Sequence, residues 1–486
     1  MSAFSVISRQ ERRAALAEPA LWIALAVFAL LSAYAMLSGV QWSQTRAAEA
    51  RLASAQSAER NAGFRKDLAI YESGQGSTLV KPSWYAAWIK APTTPDARIA
   101  MPALPLAAFS SNAGELQPLV ANMRAAASRY SLLDDFGAST QNPASLVVGR
   151  FDMVFLLVAV LPLLILAFTY NLLSSERESG TLDLVMTQPV RLATVLLAKL
   201  LVRGAIILLP VLALVMMGAL FVALSSTGSA HPTELLALAG LVLTYGAFWL
   251  AVAAVANAWG RSSSTNALVL GGVWLLVVMA IPSLLNVSTT AVLPPPDRAE
   301  FTNALRSTLV ESRNRGENLV SDFNLQHPDR PITDSGASHD AFDSAKATLR
   351  TWLVRERADA LLQPVASRFE ARLEDQQRVA ERFRFLSPAL AFEAALKRLA
   401  GTDTARSRAF RDASRQHLDR LRSLLVPKVL AGESLKAADI DRLPKFVMTE
   451  PTRSVALFAD WLGIVVPCLA LTALAAVGVR AYRKGA

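Results

Sequence analysis

Six stretches of the chain run for about 20 residues without Asp, Glu, Lys or Arg, and polar segments of very unequal length separate them. They are Ala20–Val40, Met153–Leu173, Gly204–Leu224, Leu235–Trp259, Thr265–Asn286 and Trp461–Val479. An unpaired peptide group costs several kcal/mol in hydrocarbon, so an apolar stretch of this length crosses a bilayer as a helix that bonds its own backbone. The pattern predicts an all-α membrane protein with six transmembrane helices, at residues 20–40, 153–173, 204–224, 235–259, 265–286 and 457–479. Two long polar inserts, residues 41–152 and 287–456, follow the first and fifth spans. The other connections, 174–203, 225–234 and 260–264, are short, as are the ends, 1–19 and 480–486.

Positive charge beside a helix end resists translocation, whereas long loops cross regardless of charge. Arg9, Arg12 and Arg13 precede the first span, and Arg177, Arg191, Lys199 and Arg203 lie between the second and third. Arg261 sits between the fourth and fifth, and Arg480, Arg483 and Lys484 follow the sixth. Six crossings place all of them on one side. The termini are then cytoplasmic, and both inserts are extracytoplasmic. A rival reading makes the first span a cleavable signal peptide, because Ala33-Tyr34-Ala35 has the small-x-small pattern of a cleavage site. The long basic region before it and the apolar run that continues to Val40 favour a retained span.

Residues 41–72 contain no proline and are rich in Ala, Arg, Glu and Gln, so the first span is expected to continue out of the membrane as a helix. From Lys81 to Pro105 five prolines block a long helix. Trp84, Tyr85 and Trp88 there either pack an ordered loop or lie at the lipid interface. In the second insert Leu362, Val365, Phe369, Leu373, Gln376, Val379, Phe383 and Leu386 step by three or four along one helical face, with Pro364 beginning or kinking that helix. Ser387 reads as an N-cap before Pro388, and Gly401 as the end of that short helix. Thr402 and Asp403 can cap the next one, whose stripe of Phe410, Ala413, His417, Leu421 and Leu424 makes His417 a packing histidine. Both inserts are thus mainly helical.

Composition narrows the chemistry. Charged residues are 18% and hydrophobic ones 53%, and the net charge is +10, which in a membrane protein points to anionic lipid before nucleic acid. The basic residues are scattered rather than gathered in a nucleic-acid-binding unit. One cysteine, Cys468, excludes an intrachain disulfide and a cysteine-based zinc site. His327, Asp329, Asp334, His339 and Asp340 share one loop-like stretch without the spacing that would fix metal ligands, so no metal is expected. No span carries the residues of a hydrolase, and Asn171, Tyr245 and Asn257 are polar groups that need partners inside the protein. Pro162, Pro210, Pro282 and Pro467 are expected to kink their helices, and Asp152 and Asp460 to sit at outward, water-reached ends.

The most informative segment lies between the second and third spans: Glu176-Arg177-Glu178-Ser179-Gly180-Thr181-Leu182-Asp183-Leu184-Val185-Met186, then Thr187-Gln188-Pro189-Val190. Ser175 and Glu178 can form a capping box, while Gly180 can break the descending helix. Thr181 then starts a short helix that Pro189 stops. Its Leu182, Val185 and Met186 share one face, and an apolar face exposed at the cytoplasmic surface would suit a soluble partner; an ordinary connecting loop is the plain alternative.

This segment, followed by Leu197-Ala198-Lys199 at the third span, resembles the signature of ABC-2-type transporter permease subunits. The six spans and an amphipathic N-terminal helix, Ser5 to Leu16, are similar as well. Leu386-Ser387-Pro388-Ala389-Leu390 and Leu399-Ala400-Gly401-Thr402-Asp403, in a large insert, resemble a bacterial subgroup whose insert domain has no assigned role. The resemblance implies a multi-pass protein of the bacterial inner membrane in which Glu176, Arg177, Glu178, Ser179, Gly180, Thr181, Leu182, Asp183, Val185, Met186 and Pro189 form the coupling segment. Its partners would be two ATP-binding-cassette ATPase subunits, a second permease subunit (identical or sister), membrane lipid and an envelope protein met through the inserts. No Gly-x-x-x-x-Gly-Lys-Ser/Thr loop occurs, so this chain needs no cofactor of its own, and ATP and Mg are expected on the ATPase. Export of an amphiphilic or envelope-related substrate follows from the resemblance. The alternative is a non-transporting membrane scaffold or sensor whose extracytoplasmic helices bind an envelope partner.

Overall fold

The computed structural model describes residues 3–74, 83–102, 104–112, 120–130, 151–225, 231–260, 262–333 and 343–485. Helix α1 (Ala3–Leu16) turns into α2 (Pro19–Glu72), a single helix of 54 residues. Pro19 stands in its first turn, where a missing N–H costs nothing, and about 80 Å of helix follow without another proline. Helix α3 (Ser83–Lys90) fits between Pro82 and Pro92. Its Tyr85 hydroxyl donates to Asp67 Oδ2 at 2.8 Å, and Trp88 meets Phe64 edge-on at 5.1 Å, so Tyr85 and Trp88 pack on α2. Strands β1 (Asp96–Ala100) and β2 (Val120–Arg124) then pair antiparallel, Asp96 opposite Arg124 and Ala100 opposite Val120. Between them a 3-10 turn, Pro105–Ser110, buries Leu106 and Phe109 against α2. A β-carbon on Gly39 would stand 2.0 Å from the Ala108 carbonyl oxygen, so only glycine admits this approach.

Helix α4 (Met153–Ala167) begins at Asp152, whose carboxylate accepts from the Phe155 N–H at 2.9 Å. Then come α5 (Ser174–Glu178), α6 (Thr181–Met186), α7 (Leu192–Ser225), α8 (Pro232–Trp259) and α9 (Ser263–Val292). The second insert holds α10 (Arg298–Asn314), α11 (Gly316–Gln326), α12 (Asp343–Phe383, with Pro364 inside it), α13 (Pro388–Ala400), α14 (Thr404–Leu430) and α15 (Ala437–Asp441), and α16 (Ser454–Gly485) closes the chain. Among the described residues α2, α7, α8, α9 and α16 are long and apolar enough to cross a membrane, whereas α4 is shorter. The apolar window 153–173 is therefore not one continuous helix. The protein is an all-α membrane protein with one small β-ribbon.

Two of these helices contain π turns, and each is followed by a proline. In α4 the turn Leu156–Val160 precedes Pro162, which has no N–H for the Val158 carbonyl; the Tyr245 hydroxyl donates to it instead at 2.9 Å. Trp274 Nε1 takes the neighbouring Ala159 carbonyl at 3.0 Å. In α9 the turn Leu275–Ala280 precedes Pro282, and the Val277 carbonyl accepts from Ser387 Oγ at 2.7 Å.

Ser387 belongs to the second insert, yet it reaches the middle of α9. Its side chain also caps α13, accepting from the Ala389 N–H at 3.2 Å, and Gly401 ends that helix in the left-handed region. Ala389, Ala391, Phe392, Ala395 and Leu396 of α13 join the same hydrophobic core as the spans, and Phe392 stacks on Tyr245, halfway along α8, at 4.1 Å. The insert expected to lie wholly outside thus sends one helix into the bundle. Asp460 and Asp152 are correspondingly dry rather than water-reached: Asp460 is 0% exposed between Arg384 at 2.5 Å and Arg398 at 2.7 Å, and Asp152 caps α4. His417 is buried with its ring edge-on to Phe446 at 5.7 Å, in the packing role expected of it. His327 stacks on Phe323, and no group of three metal-ligating residues gathers among the described residues; Asp334, His339 and Asp340 lie outside them, as does Arg261.

Candidate functional site

Below Ala167 the chain leaves the helix for six residues before α5 begins, and side chains from three other helices hold that irregular backbone. Arg203 Nη1 donates to the Phe168 carbonyl at 2.8 Å and Lys199 Nζ to that of Leu172 at 3.1 Å, both from α7. From α8, Asn257 donates to the Thr169 carbonyl at 2.8 Å and accepts from the Leu173 N–H at 3.1 Å. From α9, Asn266 donates to the Tyr170 carbonyl at 3.0 Å. Non-helical backbone at such a position is tolerated only where protein satisfies it.

The next residues are tied down by charge. Glu176 pairs with Lys199 at 2.5 Å, and Lys199 and Arg203 lie 3.7 and 2.6 Å from the buried Glu11 of α1. Arg177 donates to the Gly260 carbonyl at the end of α8. The Ser175–Glu178 capping box does not form. Glu178 instead accepts from the Ser263 N–H at 2.6 Å and its hydroxyl at 2.8 Å, because the first turn of α9 offers unpaired N–H groups and the positive end of a helix dipole. Those bonds hold the Glu178 carboxyl below the usual carboxylate range.

Gly180 has φ +71° and separates α5 from α6, as its place in the sequence suggested. Ser179 and Thr181 close the bend: their hydroxyls lie 2.9 Å apart, and each donates back to a carbonyl of α5, Ser179 to Ser175 at 2.9 Å and Thr181 to Glu176 at 3.3 Å. The apolar face of α6 points the other way from the sequence expectation. Leu182 is 1% exposed, and Val185 and Met186 pack half-buried on the main core. Periodicity places three residues on one face but does not say whether the chain's own bundle takes that face. What α6 presents outward is Thr181, Asp183, Leu184 (70% exposed), Thr187, Gln188 and Pro189, continuous with Glu178, Ser179 and Gly180.

The site is therefore a helical hairpin pinned to α7, α8 and α9, and through Lys199 to Glu11 of α1, with one exposed leucine in a polar rim. Sequence reasoning named the hairpin without Leu184 and named Asn257 only as a polar group in need of a partner; it missed Lys199, Arg203, Ser263 and Asn266 as anchors, and Glu11 behind the first two. Asn266 inside an uncharged window, and Lys199 and Arg203 one helical turn apart, were the available signals. The C-terminal helix reaches the same end of the bundle: a β-carbon on Gly478 would touch the ring of Trp259, one residue before Gly260.

A search of curated proteins finds no match. A family model described as "ABC-2 family transporter protein" matches residues 5–485, nearly the whole chain. The chain is accordingly a multi-pass membrane subunit belonging to the ABC-2 family of transporter proteins.

Proposed function

We propose that this chain is the permease subunit of an ATP-driven exporter, in which the α5–α6 hairpin couples a separate ATPase to movement of the spans. The observation that carries the reading is the anchoring of the hairpin. A push on α6 is passed to α7 through Glu176, to α8 through Arg177 and Asn257, and to α9 through Glu178. Displacement of a rigid element between packed helices is one established way of driving a conformational change. Asp183, Leu184, Thr187, Gln188 and Pro189 would contact the ATPase, while Leu182, Val185 and Met186 fix the hairpin to the bundle. ATP and Mg would reside on that partner, and a second permease subunit would complete the complex. The positive flanks and the gathering of α1, the hairpin and the C-terminal helix at one end support cytoplasmic termini. The cargo is an amphiphilic or envelope-related molecule.

The test is affinity purification in mild detergent, with ATP turnover measured in proteoliposomes. A burial of Leu184 worth about 1.5–3 kcal/mol corresponds to a factor of roughly 10–100 in affinity. Leu184→Glu is expected to lose the co-purifying ATPase by that factor while its thermal melt stays that of the wild type. Wild-type recovery of the ATPase with wild-type turnover would refute the assignment.

A further inference from the structure

Helix α1 holds more positive charge than its own fold consumes. Its one acid, Glu11, is 7% exposed and faces α7, where it pairs with Arg203 at 2.6 Å and Lys199 at 3.7 Å. Ala15 is buried on the same side, and Ile7 packs against the main core. With Glu11 turned inward, Arg9, Arg12, Arg13 and Leu16 follow one another by three, one and three residues on a single outward face, and all four are exposed. Among the described residues none of these three guanidinium groups has an ion pair or a hydrogen-bond partner. The same exposed side carries Val6, which with Leu16 is 51% and 44% exposed.

The depth of α1 follows from Arg203. This residue immediately precedes the charge-free window Gly204–Leu224, and its guanidinium reaches both Glu11 at 2.6 Å and Glu18, in the turn to α2, at 4.0 Å. Glu18 itself stands two residues before the window that opens at Ala20. The middle of α1 and its C-terminal end therefore lie at one level, that at which α2 and α7 enter the hydrocarbon, and the helix runs along the bilayer surface. Trp22 of α2, 49% exposed, donates to the Leu16 carbonyl at 2.9 Å, in the interfacial position that tryptophan favours. A helix so placed, with exposed aliphatic side chains beside unpaired arginines, has the make-up of an element that lies in a headgroup layer. Guanidinium groups bind phosphate by paired, charge-assisted hydrogen bonds, and an anionic leaflet supplies phosphate at that depth.

We infer that α1 docks on anionic lipid, with headgroup phosphates held by Arg9, Arg12 and Arg13 and the acyl boundary met by Val6 and Leu16. The docking requires no ATPase, so it stands or falls apart from the coupling reading.

Hydrogen exchange is measured on the full chain, with no ATPase present, in nanodiscs of phosphatidylcholine alone and of phosphatidylcholine mixed with phosphatidylglycerol. Each arginine beside an anionic surface is worth about five-fold in binding, so three set a ceiling of roughly 100-fold. The amides of α1 are expected to exchange about ten-fold or more slowly with phosphatidylglycerol present, and high salt should remove the difference. Arg9→Gln, Arg12→Gln and Arg13→Gln together should erase it, with α13 and α14 exchanging as in the wild type, whereas Arg480→Gln on α16 should keep it. A wild-type thermal melt establishes that each variant is folded. Equal exchange in the two discs, a difference that survives in the triple variant, or the same slowing by inorganic phosphate in phosphatidylcholine discs would overturn the inference. A slowing that requires added ATPase would assign this face to a protein and overturn it as well.

Discussion

Replacing Asn257 by leucine removes the amide that straps the irregular segment 168–173 to α8. The side chain is fully buried and makes three bonds. The one to the Ala253 carbonyl duplicates a helical bond and is dispensable, but the Thr169 carbonyl and the Leu173 N–H lose a partner that water does not replace. A buried group left unpaired costs about 1–3 kcal/mol, while side-chain bonds measured within membranes average about 0.6 kcal/mol. Two groups at an intermediate value give about 2 kcal/mol, or roughly a 30-fold easier local opening. Hydrogen exchange on the full chain in nanodiscs reads this directly, because local opening free energies set amide exchange rates. The amides from Leu173 to Glu178 should exchange roughly 30-fold faster in Asn257→Leu, with those of α13 and α14 unchanged. Asn266→Ala, which frees only the Tyr170 carbonyl of this segment, should show a smaller rise confined to the same amides. Wild-type rates from Leu173 to Glu178, or a rise spread equally over the inserts, would refute the strap.

Two further outcomes follow from buried charge. Both ring nitrogens of His417 lack a hydrogen-bond partner, and burial pushes its pKa down to about 4 from an ordinary 6.5. The unfolded chain takes up a proton below about pH 6.5 that the folded chain refuses until about pH 4, so stability falls as pH drops through that window, by at most about 3 kcal/mol. His417→Phe should flatten this fall in melts recorded from pH 7 to pH 4.5, and an unchanged slope would exclude His417 as its source. At the other buried site, Asp460→Asn leaves Arg384 and Arg398, 13% and 11% exposed, without their shared counter-charge. Breaking such a pair costs about 3–5 kcal/mol. A melting temperature within error of the wild type would show that the ion cluster adds nothing to the seating of α13.

What could be read from the sequence was whatever rests on local chemistry. Charge-free windows marked the five helices long and apolar enough to cross a membrane, the absence of proline carried α2 out to Glu72, and Ser387-Pro388 and Gly401 framed α13 because caps act within one turn. What could not be read depends on which surface faces which. The stripe of Leu182, Val185 and Met186 was correctly grouped, but its direction is set by a bundle assembled from residues far away in the chain. Helix α13 was legible as a helix, yet nothing in thirteen residues rich in alanine says that Tyr245 and Val277 will receive it. Asp460 looked solvated because its partners Arg384 and Arg398 lie far back in the second insert, and Asp152 because, beyond the local Phe155 N–H, its other backbone donor is Asn112, 40 residues away.

The distribution of proline within the bundle separates four helices with an internal proline from α2 and α8, whose only proline lies in the first turn. Pro162, Pro210, Pro282 and Pro467 each interrupt the backbone ladder of α4, α7, α9 and α16, and bending costs least where a bond is already missing. Helix α8 has proline only in its first turn, and half of its apolar window is buried, the largest share among the five long spans. It carries Asn257, which grips the hairpin, and Tyr245, which stacks on α13, twelve residues or about 18 Å apart along an uninterrupted helix. In the coupling proposed above, a displacement of the hairpin that reached Asn257 would meet no proline in α8 on the way to the Tyr245–Phe392 stack. The interrupted ladders lie instead in the helices around it, and in α4 and α9 the hydroxyls of Tyr245 and Ser387 donate to carbonyls of the two π turns.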